Sequence, residues 1–160
     1  MLEHVRKLMG HVEWANAVFF HAWAKSPARE NEEMRRRVGH VVGVQEGFLA
    51  VLRGDAPGHP PDGPPPSFDA LRSRAIQSHK NLRSFADSLN SESLARCVQI
   101  PWFPEPACII TVAEALVQVA MHTQHHRGQL MTRLKDLGGE PKNVDWIIWL
   151  WKGRPEGRWE

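Results

Sequence analysis

Three of the nine histidines in this chain fall within the stretch MHTQHHRGQL, Met121 to Leu130, and neutral histidine is the commonest metal ligand among side chains. With successive residues turned by about 100°, His126 lies about 20° and His122 about 60° from the centre of the apolar stripe, whereas His125 lies about 120° away. The stripe consists of Val112, Ala115, Leu116, Val119, Thr123, Leu130, Leu134 and Leu137. Residues four apart lie one helical turn apart on the same face, so their imidazoles can converge on one ion. The spacing favours His122 and His126 as a metal-binding pair, and the alternative is a pair of hydrogen-bonded core histidines.

A first-row metal needs at least a third ligand, which a facing helix would supply. His40, which opens the stretch HVVGVQEGFL, and His11 each lie at the edge of the apolar stripe of their helix, so spacing alone does not choose between them. Exposure is common for histidine, and the remaining four are predicted to be surface or linker residues. These four are His4, His21, His59 and His79.

Three other polar residues are candidates for supporting hydrogen bonds. Asn16 lies inside the apolar stripe of the first helix, where an unpaired amide costs free energy, so it either orients a ligand or closes a hydrogen bond between helices. A metal-ligating imidazole usually donates its second ring N–H to a partner. Gln129 and Glu46 are the candidate partners.

The elements that must position these residues are four long amphipathic helices, because apolar residues recur at helical spacing and no segment shows sustained alternation. The predicted helices span residues of about 2–25, 29–53, 67–90 and 111–137. Pro27 and Gly54 are expected to end the first two helices. Ser67 is the predicted cap of the third helix, and Thr111 with Glu114 has the spacing of a capping box for the fourth.

Two long connections separate these helices. Residues 54–66 are rich in proline and glycine and are predicted to form an exposed crossover. The second connection is residues 91–110, and its stretch 97–110, with three prolines, is expected to contain short strands or extended chain. The tail NVDWIIWLW is predicted to form a short closing helix packed on the bundle or a dimer contact. The sequence thus predicts an all-α fold, a four-helix bundle with long crossover connections, as one domain spanning residues 1–160.

Composition excludes several classes of function. A net charge of +2 without a basic stripe argues against nucleic-acid binding, and no apolar run is long enough for a membrane span or a signal core. Cys97 and Cys108 form no disulfide scaffold and are expected to be free thiols. These features predict a cytoplasmic protein with no membrane or nucleic-acid partner.

Four stretches of the chain are similar to motifs of one family: WAN at residues 14–16, HVVGVQEGFLAVLRG, TVAEALVQVAMHTQHHRGQLMTRLKDLGGEP and VDWIIWL. Together they resemble the DinB-like proteins, also called the DinB/YfiT superfamily, whose hallmark is the HxxxHRGQ pattern. The resemblance implies a four-helix bundle with a non-sequential helix order, commonly a homodimer. It also implies a divalent metal, zinc or nickel, held by His40, His122 and His126, which selects His40 over His11.

The resemblance further implies a metal-dependent transferase that moves a low-molecular-weight thiol onto a small electrophile. A metal-dependent hydrolase would need a positioned general base, and no glutamate adjoins the HxxxH pair. The other alternative is a non-catalytic stress or binding protein whose metal is structural. Whether the protein is an enzyme at all therefore stays open at this point.

Overall fold

The computed structural model describes residues 1–58 and 63–159, and most of them lie in helices. The helices are α1 (Leu2–Ala24), α2 (Glu32–Arg53), α3 (Phe68–Ser88), α4 (Ser91–Ala95), α5 (Val112–Asp136) and α6 (Trp146–Trp151), with strands β1 (Cys97–Gln99) and β2 (Ile109–Thr111) between α4 and α5. This confirms the predicted all-α fold. His59, predicted to be a linker residue, lies outside the described residues.

Local side-chain chemistry sets the ends of these helices. Ser67 accepts a hydrogen bond from the third residue after it, and Thr111 forms the predicted capping box with Glu114. Gly54 adopts a left-handed φ of 87° at the end of α2, where a residue with a Cβ would be strained. The second helix begins at Glu32 rather than near residue 29, because the side chain of Asn31 caps its first turn.

The long helices pack in a non-sequential order. Both α1 and α2 pack against α3 and α5, so α1 and α2 lie across the bundle from each other. The two larger apolar clusters of the described residues include, respectively, positions 5–12, 48–52, 82–89 and 112–120, and positions 19–28, 34–42, 68–75 and 130–134. Along the chain, α1 and α5 therefore run from the first cluster to the second, whereas α2 and α3 run the opposite way. The crossover connections are what make this arrangement possible.

A layer of buried polar side chains lies between the two apolar clusters. Each long helix contributes to it at the middle of its length: Asn16 from α1, Gln45 from α2, Ser78 and His79 from α3, Thr123 and Arg127 from α5. Gln45 donates to Thr123 and accepts from Ser78, which satisfies its amide. Since buried polar groups are stable only when paired, this layer fixes how the four helices are set against one another.

The last connection and the tail pack against the bundle. As predicted for residues 97–110, β1 and β2 form a short antiparallel pair, with Val98 opposite Ile110. Cys97 and Cys108 are free thiols. The tail forms α6, where Trp149 is buried and packs on the bundle as predicted, while Trp151 remains 79% exposed. None of the described helices is both long and apolar enough to cross a membrane.

Candidate metal centre

Three histidines meet where α2 packs against α5. His40 comes from α2, and His122 and His126 lie one turn apart on α5. One ring nitrogen from each lies within 4.8 Å of the others, and the Nε2 atoms of His40 and His122 are 3.3 Å apart. His40 is exposed and the other two are half-buried, so the group lies at the edge of the bundle rather than in its interior.

The hydrogen bonds around the three histidines determine which ring nitrogens carry protons and which can act as acceptors. The Nδ1–H of His126 donates to Oε1 of Gln129 at 3.0 Å, which leaves Nε2 of that ring as an acceptor. The Nε2 atoms of His40 and His122 can form a hydrogen bond only if one of them carries a proton. His122 Nδ1 is buried without a hydrogen-bond partner.

Burial keeps the imidazoles of His122 and His40 neutral. Burial, together with the neighbouring His126, His40 and His125, lowers the pKa of His122 to about 4. Burial and the proximity of His126 also lower the pKa of His40. Neutral imidazole is the form that ligates metals, so near pH 7 both rings offer lone pairs rather than positive charge.

The geometry fits a first-row divalent ion. Zinc lies about 2.0–2.1 Å from each imidazole nitrogen, so two such nitrogens on a tetrahedral ion are about 3.3–3.4 Å apart. The separation of the Nε2 atoms of His40 and His122 has this value. Within the described residues the group contains no carboxylate or thiolate. Three imidazoles alone would leave coordination positions open for a water or a substrate, as in catalytic rather than structural sites.

The other residues that the sequence suggested as ligands or partners have different surroundings. Gln129 is a hydrogen-bond partner of a candidate ligand, as expected, and His125 is exposed outside the group. Glu46 instead forms a bidentate ion pair with Arg74 of α3, with 2.9 Å between Nε and Oε1. His11 is buried elsewhere, with its Nε2 2.9 Å from the carbonyl oxygen of Val144 and its ring among tryptophans.

The exposed positions of His4 and His21 agree with the sequence, but the prediction for His79 is wrong. His79 is 1% exposed because it lies four residues after Ala75 and three before Leu82, on the buried face of α3. Its ring packs near Trp159, with 5.5 Å between the ring centroids. The same periodicity that identified the apolar stripe could have placed this histidine in it.

A buried chain of hydrogen bonds runs from Arg127 through Asn16 to His79. Arg127 was not singled out from the sequence, although it follows Thr123 by four residues and precedes Leu130 by three. Arginine can only donate, so Asn16 Oδ1 accepts from Arg127 at 2.8 Å, and the Asn16 amide then donates to His79 Nε2 at 2.9 Å. Asn16 therefore closes contacts between helices and does not contact the metal group.

The burial of His79 in this hydrogen-bonded network makes the stability of the protein depend on pH. Burial, reinforced by the charge of Arg127, lowers the pKa of the His79 imidazole to about 3. Between that value and about 6.5 the unfolded chain binds a proton that the folded one does not, so the contribution is complete above pH 6.5 and is lost as pH falls. We expect His79 to account for a loss of about 2 kcal/mol in unfolding free energy between pH 7 and pH 5.

Urea unfolding of wild type and His79→Gln at both pH values measures this effect. The variant should be less stable at pH 7 but should lose less stability on acidification. The other histidines with lowered pKa values act with the same sign in both proteins, so the difference between the two slopes isolates His79. Parallel slopes would contradict the assignment.

One comparison of the sequence with known proteins gives a family match. A family model described as the DinB superfamily matches residues 21–130, which contain all three clustered histidines. No curated protein and no solved structure shows significant similarity to the chain.

Proposed function

The chain belongs to the DinB superfamily, and we propose that it is a metal-dependent transferase that joins a low-molecular-weight thiol to a small electrophile. The observation that carries the proposal is the position of the three-histidine group at the rim of a cavity. His40 is both a member of the group and part of the cavity wall. A bound substrate could therefore reach the ion.

Each residue has a defined role in this proposal. His40, His122 and His126 are the metal ligands, zinc or nickel being the ion, and Gln129 orients His126 by accepting its Nδ1–H. A divalent ion bound there would lower the pKa of a thiol and stabilise its thiolate. The sulfur then forms the bond to the electrophilic carbon, the thiol proton passes to solvent, and any leaving group departs with its electron pair.

Two observations favour thiol transfer over the alternatives. Glu46, the one carboxylate among the described residues that line the cavity, is neutralised by Arg74 and is poorly placed to serve as the general base of a hydrolase. A purely structural metal is usually enclosed by four protein ligands, whereas this group offers three and is partly exposed. The homodimer remains an expectation from the family resemblance, and the cytoplasmic location remains a prediction from the sequence.

Conjugation of a thiol to monochlorobimane tests the activity. At pH 7 a free thiol is only a few per cent ionised, so complete ionisation would raise the rate about 30-fold, and correct orientation of the substrates would raise it further. Zinc-loaded or nickel-loaded protein should accelerate conjugation of at least one of glutathione, cysteine and coenzyme A.

The matched variants are His126→Ala and His125→Ala, since only the first removes a candidate ligand. The reaction should fall to the uncatalysed rate with His126→Ala and persist with His125→Ala. Absence of acceleration with every common low-molecular-weight thiol, in protein shown to hold stoichiometric metal, would count decisively against thiol transfer.

A further inference from the structure

A cavity of about 710 Å³ adjoins the metal group through His40. One wall is a face of α2, and the others come from Arg74 of α3, from the crossover near Pro65 and from Trp102 in the connection between β1 and β2. Cavities of about 300–1,000 Å³ are typical of small-molecule sites. The size therefore fits an organic molecule larger than a water or a simple ion.

Positive charge exceeds negative charge in this cavity. Three arginines line it, and among the described lining residues Glu46 is the only carboxylate. Arg74 is paired with Glu46, and Arg36 is paired with Glu32 one turn before it. Among the described residues, Arg35 has no ion-pair partner closer than the carboxylate of Glu30, at 3.9 Å.

Arg35 also has a free donor. Its Nη1 donates to the carbonyl oxygens of Pro65 and Pro66, at 3.1 and 3.2 Å, and this fixes the guanidinium against the crossover. Its Nε is buried and lies 3.9 Å from the carboxylate of Glu30, a mostly exposed side chain. Its Nη2 makes no hydrogen bond to the described residues and, unlike Nε, is not a buried atom. A carboxylate in the cavity could therefore accept a charge-assisted hydrogen bond from Nη2.

Glycines on α2 leave room for an aromatic side chain to form one wall of the cavity. Gly39, Gly43 and Gly47 follow one another at four-residue intervals along the lining face. A Cβ at Gly47 would lie 3.2 Å from the ring of Trp102, so glycine allows the indole to approach the helix. Trp102 packs on Phe48 with 5.2 Å between the ring centroids. This wall suits a flat apolar group.

We propose that this cavity binds an aromatic or otherwise flat organic carboxylate, with its carboxylate on Arg35 and its apolar part against Trp102. The inference deepens the proposed function, on which the role of this ligand as a substrate rests. Binding itself rests only on the cavity.

Calorimetric titration with 2-naphthoate tests the inference, with 2-naphthalenemethanol as the neutral counterpart of the same shape. Metal-loaded and metal-free protein should both bind the carboxylate more tightly than the alcohol. A hydrogen bond to a charged group corresponds to a factor of about 10–100 in affinity, so Arg35→Gln should weaken naphthoate binding at least tenfold. Equal binding of the two compounds, or no binding of naphthoate, would overturn the inference.

Two variants separate ligand recognition from an effect on folding. Arg35→Lys keeps the charge and should bind more tightly than Arg35→Gln, at a similar melting temperature. Arg83→Gln removes an arginine that pairs with Glu13 outside the cavity lining, and it should bind naphthoate like wild type. An Arg35→Gln variant that binds as tightly as wild type would overturn the assignment of Arg35.

The two proposals can fail separately. Naphthoate binding without thiol transfer by metal-loaded protein would refute the transferase and support the anion site. Thiol transfer by protein that does not bind naphthoate, and whose activity naphthoate does not inhibit, would support the transferase and refute the anion site. Metal content, measured on each sample, keeps the two results independent.

Discussion

Replacing His126 by alanine should lower the affinity for zinc or nickel by more than about 100-fold. Loss of a partner that only supports a ligand typically costs 10–100-fold, so loss of one of three ligands should cost more. His40→Ala and His122→Ala should have effects of the same size, because all three rings offer a nitrogen to one group. Competition with a chromophoric chelator measures the dissociation constants, and elemental analysis measures the stoichiometry.

Two neighbouring residues provide the controls. His125 is exposed outside the group, so His125→Ala should retain nearly full affinity. Gln129 accepts a hydrogen bond from His126, so Gln129→Ala should fall between the two, with a loss of about 10–100-fold. Stoichiometric, tight metal binding by His40→Ala and His126→Ala would refute the ligand assignment.

Asn16→Ala should lower the free energy of unfolding by about 3 kcal/mol, because a buried donor that loses its acceptor costs about 1–3 kcal/mol and a charged donor costs more. Arg127 is 2% exposed, and burial lowers the pKa of its guanidinium to about 10. No carboxylate of the described residues lies within ion-pair distance of it, so its acceptors are the side-chain oxygens of Asn16 and Gln124. The substitution also removes the donor to His79. Urea unfolding in the presence of a chelator excludes a contribution from metal binding.

Matched variants identify the cause of this loss. The double variant Asn16→Leu/Arg127→Met replaces both hydrogen-bonded partners by apolar residues. It should be less destabilising than Asn16→Ala alone, because it leaves no unpaired buried charge. Asn81→Ala changes an exposed asparagine that accepts from Gln77, and it should cost under about 1 kcal/mol. A loss for Asn16→Ala no larger than for Asn81→Ala would contradict the structural role of the buried chain.

Helical periodicity and capping explain why much of this fold could be predicted. The rotation of about 100° per residue separated His125 from His122 and His126 without any structure. Ser67, Gly54 and the capping box marked helix ends to within a few residues, because these signals act locally. Asn31 shows the limit, since its cap moved the start of α2 three residues beyond the predicted position.

Contacts between distant segments were not predictable from the chain alone. The edge position of His40 on its stripe did not distinguish it from His11, because both helices pack against α5 and the choice depends on which histidine lies beside His122 and His126. Treating His79 as exposed followed the average behaviour of histidine, whereas its surroundings are set by Asn16 and Arg127, which are 63 and 48 positions away in sequence. The polar layer arises only when four helices align their central residues.

The cavity beside His40 also depends on contacts between distant segments, so it could not be predicted from the sequence. The glycine spacing of α2 is visible in the sequence, but its meaning depends on Trp102 packing from a connection more than 50 residues further along. Proline and glycine in the crossover indicated only that no helix continues there. The contacts of Arg35 with Pro65 and Pro66 required the folded chain.

Anomalous diffraction from crystals grown with zinc or nickel is the sharpest test of the three-histidine site, because it locates the ion without reference to activity. We expect one strong peak per chain, within coordination distance of a ring nitrogen from each of His40, His122 and His126. A fully loaded ion bound at any other residues, with these three imidazoles unligated, would contradict it.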